Sequence, residues 1–75
     1  MGYVDEVALE LSGLALKEAE LGDEKIVDQI GEVLGASSQT LQEAYLTAVR
    51  VRRAEARARK ILADLAQKRE GAPPT

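Results

Sequence analysis

The sequence predicts an all-α protein. The expected architecture is a small antiparallel helical hairpin or three-helix bundle with a long C-terminal helix, and it is expected to be oligomeric. Three observations carry this. Residues 37–69 contain no proline or glycine and are dense in Ala, Leu, Arg, Gln and Glu, all strong helix formers. Apolar residues recur at alternating spacings of three and four in residues 4–21 and again in residues 41–65. Between these stretches, Gly22, Gly35 and the Ser37–Ser38 pair supply helix stop and start signals.

The first helix is expected from Tyr3 to Leu21. Val4, Val7, Leu11, Leu14, Glu18 and Leu21 form its seam. Asp5 and Glu6 occupy its first turn, where the positive end of the helix dipole favours carboxylates. A second row, Leu9 and Leu16 with Gly13 between their turns, suggests that another surface of this helix is also covered. Gly22 is the expected stop and Asp23 the expected N-cap of the next helix. A Gly-Asp break is weaker than proline, so one helix running through Gly22 is the alternative.

The second helix is expected from Glu24 to Leu34. Ile26, Val27, Ile30, Val33 and Leu34 share one face, and Glu24, Asp28 and Glu32 form an acidic row away from it. Gly35 is the expected stop. Ser37 or Ser38 then caps the long helix, which is expected to fray near Arg69. Residues 1–70 form a single domain on this reading. Residues 71–75, Gly-Ala-Pro-Pro-Thr, form a disordered tail, since Pro-Pro cannot continue a helix.

The long helix carries a 3.5-residue seam through Leu41, Ala44, Ala48, Val51, Glu55, Ala58, Leu62 and Leu65. Its alanines admit close approach of a partner helix. Glu55 stands where an apolar side chain is expected, with Arg52 and Arg59 about one turn away on either side. Either the seam is wet at that point, or Glu55 fixes register against a basic group of a partner. Another face carries a basic stripe, Arg50, Arg53, Arg57 and Lys60. It reads as a solvated face, or as a docking surface for acidic protein or phosphate. Leu9 and Leu16, together with the apolar residues of the long seam, are the predicted interface.

Seventy-five residues make one domain, and a chain of this size buries only ~60% of the surface exposed when unfolded. There is no Cys, so no disulfide supplements the fold. There is also no His, Trp or Phe, and the expected core is Ala, Leu, Val and Ile. Self-association or a partner protein is therefore the expected supplement. Residues 1–43 hold ten acidic and two basic side chains; residues 44–75 hold three acidic and eight basic ones. The two halves attract, within one chain or between two. No apolar run approaches the ~20 residues of a membrane span, and no signal peptide is visible. The expectation is a cytoplasmic protein, and its Ala-, Leu- and Arg-rich usage fits a bacterial source with a GC-rich genome.

Catalysis is not expected. There is no His for acid–base work and no Cys nucleophile, and Ser12, Ser37 and Ser38 have no imidazole to activate them. No cofactor, metal or small-molecule substrate is expected, and the row Glu24, Asp28, Glu32 reads as solvated surface. The expected function is a small helical protein–protein interaction module, as a homo-oligomer or homodimer or as an adaptor or small subunit of a larger assembly.

Residues 26–45, IVDQIGEVLGASSQTLQEAY, support an alternative. This stretch resembles the helix-turn-helix pattern. Gly35 falls at the turn, Gly31 where a small residue lets the helices cross, and Ile30, Leu34, Ala36, Leu41 and Ala44 at apolar positions. The resemblance implies a DNA-binding regulator dimerising through the long helix. Gln39 and Gln42 would then face base edges, and Arg50 and Arg53 the phosphate backbone. The acidic row on the preceding helix opposes that use.

Overall fold

The computed structural model describes residues 2–71. The described residues are all-α, with three helices and no strand: α1 (Tyr3–Glu20), α2 (Ile26–Ser37) and α3 (Gln39–Gly71). The long helix continues through Gly71, the first residue of the expected tail, and residues 72–75 lie outside the described residues. None of these helices is long and apolar enough to cross a membrane.

Helix α1 begins after Gly2, whose carbonyl accepts the Glu6 N–H at 3.1 Å. Its end is set by Gly22, which has φ of +120°. The Gly22 N–H donates to the Ala19 carbonyl and the Asp23 N–H to the Glu18 carbonyl, each at 3.1 Å. That pair of bonds satisfies two carbonyls of the last turn and needs a left-handed residue, which glycine adopts without steric cost. Helices α1 and α2 are therefore separate.

Helix α2 starts later and ends later than expected. Asp23 does not cap it: the N-cap position is Lys25, with no side-chain bond, and the Asp23 carbonyl accepts the Ile26 N–H at 3.3 Å. Gly35 does not stop it either. The chain stays helical to Ser37 and breaks at Ser38, whose backbone is extended at φ −155° and ψ 103°. Ser38 serves two helices at once. Its N–H donates to the Leu34 carbonyl at 2.7 Å, and its Oγ accepts the Leu41 N–H at 3.1 Å. Of the two serines offered by the sequence, Ser38 is the cap.

Pairings along the helices fix their directions. Gly35 lies against Gln42, Gly31 against Tyr45 and Leu46, and the Val27 carbonyl against the Tyr45 hydroxyl, so α2 runs back along α3. Ser12 meets Arg52, and Leu16 and Glu20 share a cleft with Ala56 and Arg59, so α1 and α3 run the same way. The α1–α3 contact is the most extensive of the three. The molecule is elongated, with extents of 61 × 30 × 13 Å, because α3 continues past the other two helices.

The core is small and is not the one the apolar rows outline. Ala8, Ala15, Val27, Tyr45 and Val49 are buried, joined by Ser12 and Gly31. Leu11, Leu16, Ala19, Ile26, Ile30, Leu34, Leu41, Ala44 and Leu46 pack around them, half-buried. The expected aromatic-free core is corrected by Tyr45, which is 0% exposed and is the largest fully buried side chain. On α1 the buried face is Ala8, Ser12 and Ala15, one position round from the expected seam. Small side chains admit α3 at close range, and the bulkier Leu14 and Leu21 are left facing out.

Candidate interaction surface

The predicted interface residues divide into two groups. Leu41, Ala44 and Ala48 are half-buried, and Leu16, Leu41 and Ala44 pack on the chain's own core. Val51, Ala58, Leu62 and Leu65 are exposed, and so is Leu9. The division falls near Arg52. From Arg53 to Gly71 every α3 residue is exposed except the half-buried Ala66. Ile61 joins the exposed group; Val51, Ile61, Leu62 and Leu65 lie between 55 and 68% exposed. With Ala58 they make an apolar strip roughly 21 Å long at 1.5 Å per residue. Four large aliphatic side chains thus lie on one helix face that no other described element covers.

Arg52 marks the boundary by closing the core. Its Nε donates to Ser12 Oγ at 2.9 Å, and its Nη2 donates to the Leu9 carbonyl at 2.8 Å. Ser12, fully buried, also donates from Oγ to the Leu9 carbonyl at 2.8 Å. No buried side-chain polar atom among the described residues lacks a partner. Gly13 makes room for the guanidinium: a Cβ there would lie 3.0 Å from Arg52 Nη2. Leu9 and Gly13, taken from the sequence as signs of an external partner, thus serve an internal contact through the Leu9 carbonyl and the space at Gly13. No sequence signal pairs Arg52 with Ser12, forty residues away.

Glu55 is exposed and bonded to Arg59 at 2.9 Å. The expected seam is therefore wet at this point within the single chain. In the basic stripe, Lys60 pairs with Asp64 at 3.2 Å, whereas Arg50, Arg53 and Arg57 form no ion pair among the described residues. The acidic residues Glu24, Asp28 and Glu32 are exposed. No group of three or more acidic side chains among the described residues is spaced to hold a metal ion. A cleft of about 1110 Å³ opens where α1 and α3 part; Glu20, Asp28 and Glu55 line it together with Lys17, Arg52 and Arg59. Its mixed charge selects no ligand of either sign.

The residues proposed for DNA contact are placed as follows. Gln39 is exposed and donates to Glu43 at 3.3 Å. Gln42 turns inward, its Nε2 donating to the Gly31 carbonyl at 2.9 Å, so its amide is occupied away from any groove. Arg50 and Arg53 are exposed. A single residue, Ser38, separates α2 from α3, where the helix-turn-helix motif has a turn of about three or four residues. Gly31 is buried, but an added Cβ would meet Tyr45 and Leu46 at 3.6 Å, an ordinary contact. At Gly35 an added Cβ would overlap the Gln42 amide, the end of a flexible side chain that would have to shift off its bond to the Gly31 carbonyl.

Tyr45 anchors the interior electrostatically as well as sterically. Its hydroxyl donates to the Val27 carbonyl at 2.7 Å. Burial raises its pKa above the ordinary phenol value of 10.0; nearby Asp28 adds to the rise and Arg53 opposes it. Comparison with family models, curated proteins and solved structures finds no match to this chain.

Proposed function

We propose that this chain is a small helical protein–protein interaction module that associates with itself through the distal half of α3, and that its role is binding rather than catalysis. The observation that carries the reading is the uncovered strip Val51, Ala58, Ile61, Leu62 and Leu65. The small interior supports it: among the described residues five apolar side chains are buried, two of them alanines, and that is little for a domain to stand on alone. The absence of His and Cys from the sequence points the same way for chemistry.

Sedimentation equilibrium across the micromolar range tests it. The wild type is expected to shift from monomer to dimer or higher oligomer with concentration. A Leu62→Glu/Leu65→Glu variant is expected to stay monomeric with unchanged helix content. A wild-type chain that is monomeric throughout, with no partner protein, removes the reading. Binding to random duplex that weakens steeply with salt would instead assign Arg50, Arg53 and Arg57 to nucleic acid.

A further inference from the structure

Two strips of apolar side chains are left uncovered. One is the distal α3 strip. The other lies on α1, where Val4, Leu14 and Leu21 are exposed and Val7 and Leu11 are half-buried. Both keep the three-four spacing of a helix-pairing seam. Their lengths match: roughly 26 Å from Val4 to Leu21 and roughly 21 Å from Val51 to Leu65, at 1.5 Å per residue.

Their borders are opposite in net charge. Glu10 follows Val7 by three and precedes Leu14 by four; Glu18 follows Leu14 by four and precedes Leu21 by three. Both carboxylates therefore share the face of the α1 strip, with Lys17 between them at the same spacing, three after Leu14 and four before Leu21; the two carboxylates are exposed without an ion pair among the described residues. On α3, Arg57 precedes Ile61 by four, Lys68 follows Leu65 by three, and Arg50 lies two turns before Arg57. These three cations border the distal strip and are likewise exposed and unpaired among the described residues, whereas the two carboxylates near it, Glu55 and Asp64, are held by Arg59 and Lys60. Setting two distal α3 strips face to face would oppose like charges. Setting α3 against α1 opposes unlike ones.

Resting on the self-association proposed above, we infer that the occupant of each distal α3 strip is the α1 strip of a second copy. The pair is closed and two-fold, each copy giving one strip and receiving one. Reciprocal docking covers both strips and leaves neither open to a third chain. It also uses the charge division of the sequence between molecules, acidic α1 against basic distal α3.

A charge-exchange experiment decides it. Variant one carries Glu10→Lys and Glu18→Lys; variant two carries Arg50→Glu, Arg57→Glu and Lys68→Glu. All five sites are exposed, and circular dichroism checks that each variant keeps its helix content. Each alone places like charges across both contacts, and its self-association is expected to weaken about tenfold or more at low salt. Mixed one to one, the two variants are expected to form a heterodimer as tight as the wild-type pair, because both contacts are again complementary. If variant one associates like the wild type, α1 is not the receiving surface, and the inference fails while self-association stands. The inference fails likewise if the mixture does not recover. A wild-type chain monomeric at every concentration removes both.

Discussion

The two halves of α3 are built from similar residues and do different work. From Gln39 to Arg52, one face of the helix is covered by α1 and α2, and Tyr45 and Val49 are buried. From Arg53 to Gly71, the same helix continues with nearly every side chain in water. Helix propensity explains the continuity, since no glycine or proline interrupts residues 39–70. Tertiary contact explains only the first half. Starting a helix is costly and extending one is cheap, so the distal half takes its nucleus from the anchored half and would take any further cover from association.

Truncating an anchor on each side is the sharpest way to test the contrast. Tyr45→Ala is expected to cost about 3–5 kcal/mol, a large share of what a domain of this size holds. Leu62→Ala, measured below the concentration of association, is expected to stay within about 0.5 kcal/mol. Urea denaturation followed by circular dichroism reads both. Comparable losses at the two sites would break the division.

The next effect lies at the boundary. Arg52→Met removes two charge-assisted hydrogen bonds and is expected to cost about 1–3 kcal/mol. Gly13→Ala gains helix propensity but crowds the guanidinium. In the Arg52→Met background the crowding is gone, and the alanine is expected to stabilise by about 0.5–1 kcal/mol. A double-mutant cycle on urea midpoints should show this coupling; additive effects would mean that Gly13 and Arg52 do not meet.

A smaller effect follows from the Tyr45 hydroxyl. Its folded pKa is raised above 10.0, so the fold holds the neutral phenol more tightly than the unfolded chain does. That contribution is fully present below pH 10.0 and is lost as pH rises through the raised value. Tyr45→Phe is expected to cost about 1 kcal/mol at neutral pH and to flatten the alkaline loss of stability. Urea midpoints from neutral to alkaline pH check it; an equally steep loss in the variant would place the titration elsewhere. Smallest of all is Glu55→Gln, which breaks the exposed pair with Arg59 and is expected to change stability by no more than about 0.5 kcal/mol.

Local signals were the legible ones. The start of α1 at Tyr3, the break at Gly22 and the run of α3 follow from propensity and punctuation, which act over a few residues. The face each helix buries was harder to read. Helix α1 offers two rows, and bulk alone favours Val4, Val7, Leu11, Leu14 and Leu21. Close approach to α3 instead favours Ala8, Ser12 and Ala15, a choice made by the partner helix rather than by α1. Tyr45 had a usable signal, as one of only two aromatic residues. Its hydrogen bond to Val27 and the Arg52–Ser12 bond join residues 18 and 40 positions apart, beyond the reach of any local pattern. Gly35 was misplaced because glycine often ends helices, whereas here it stays helical to seat Gln42.

With Ser38 as the sole residue between α2 and α3, this corner has no slack. An insertion there would shift α3 against α2 and would carry Tyr45 off its seat on Val27. The segment from Leu21 to Lys25, by contrast, has length to spare, and lengthening a loop costs little entropy. The chain should therefore accept added residues between α1 and α2 and reject even one at the second corner.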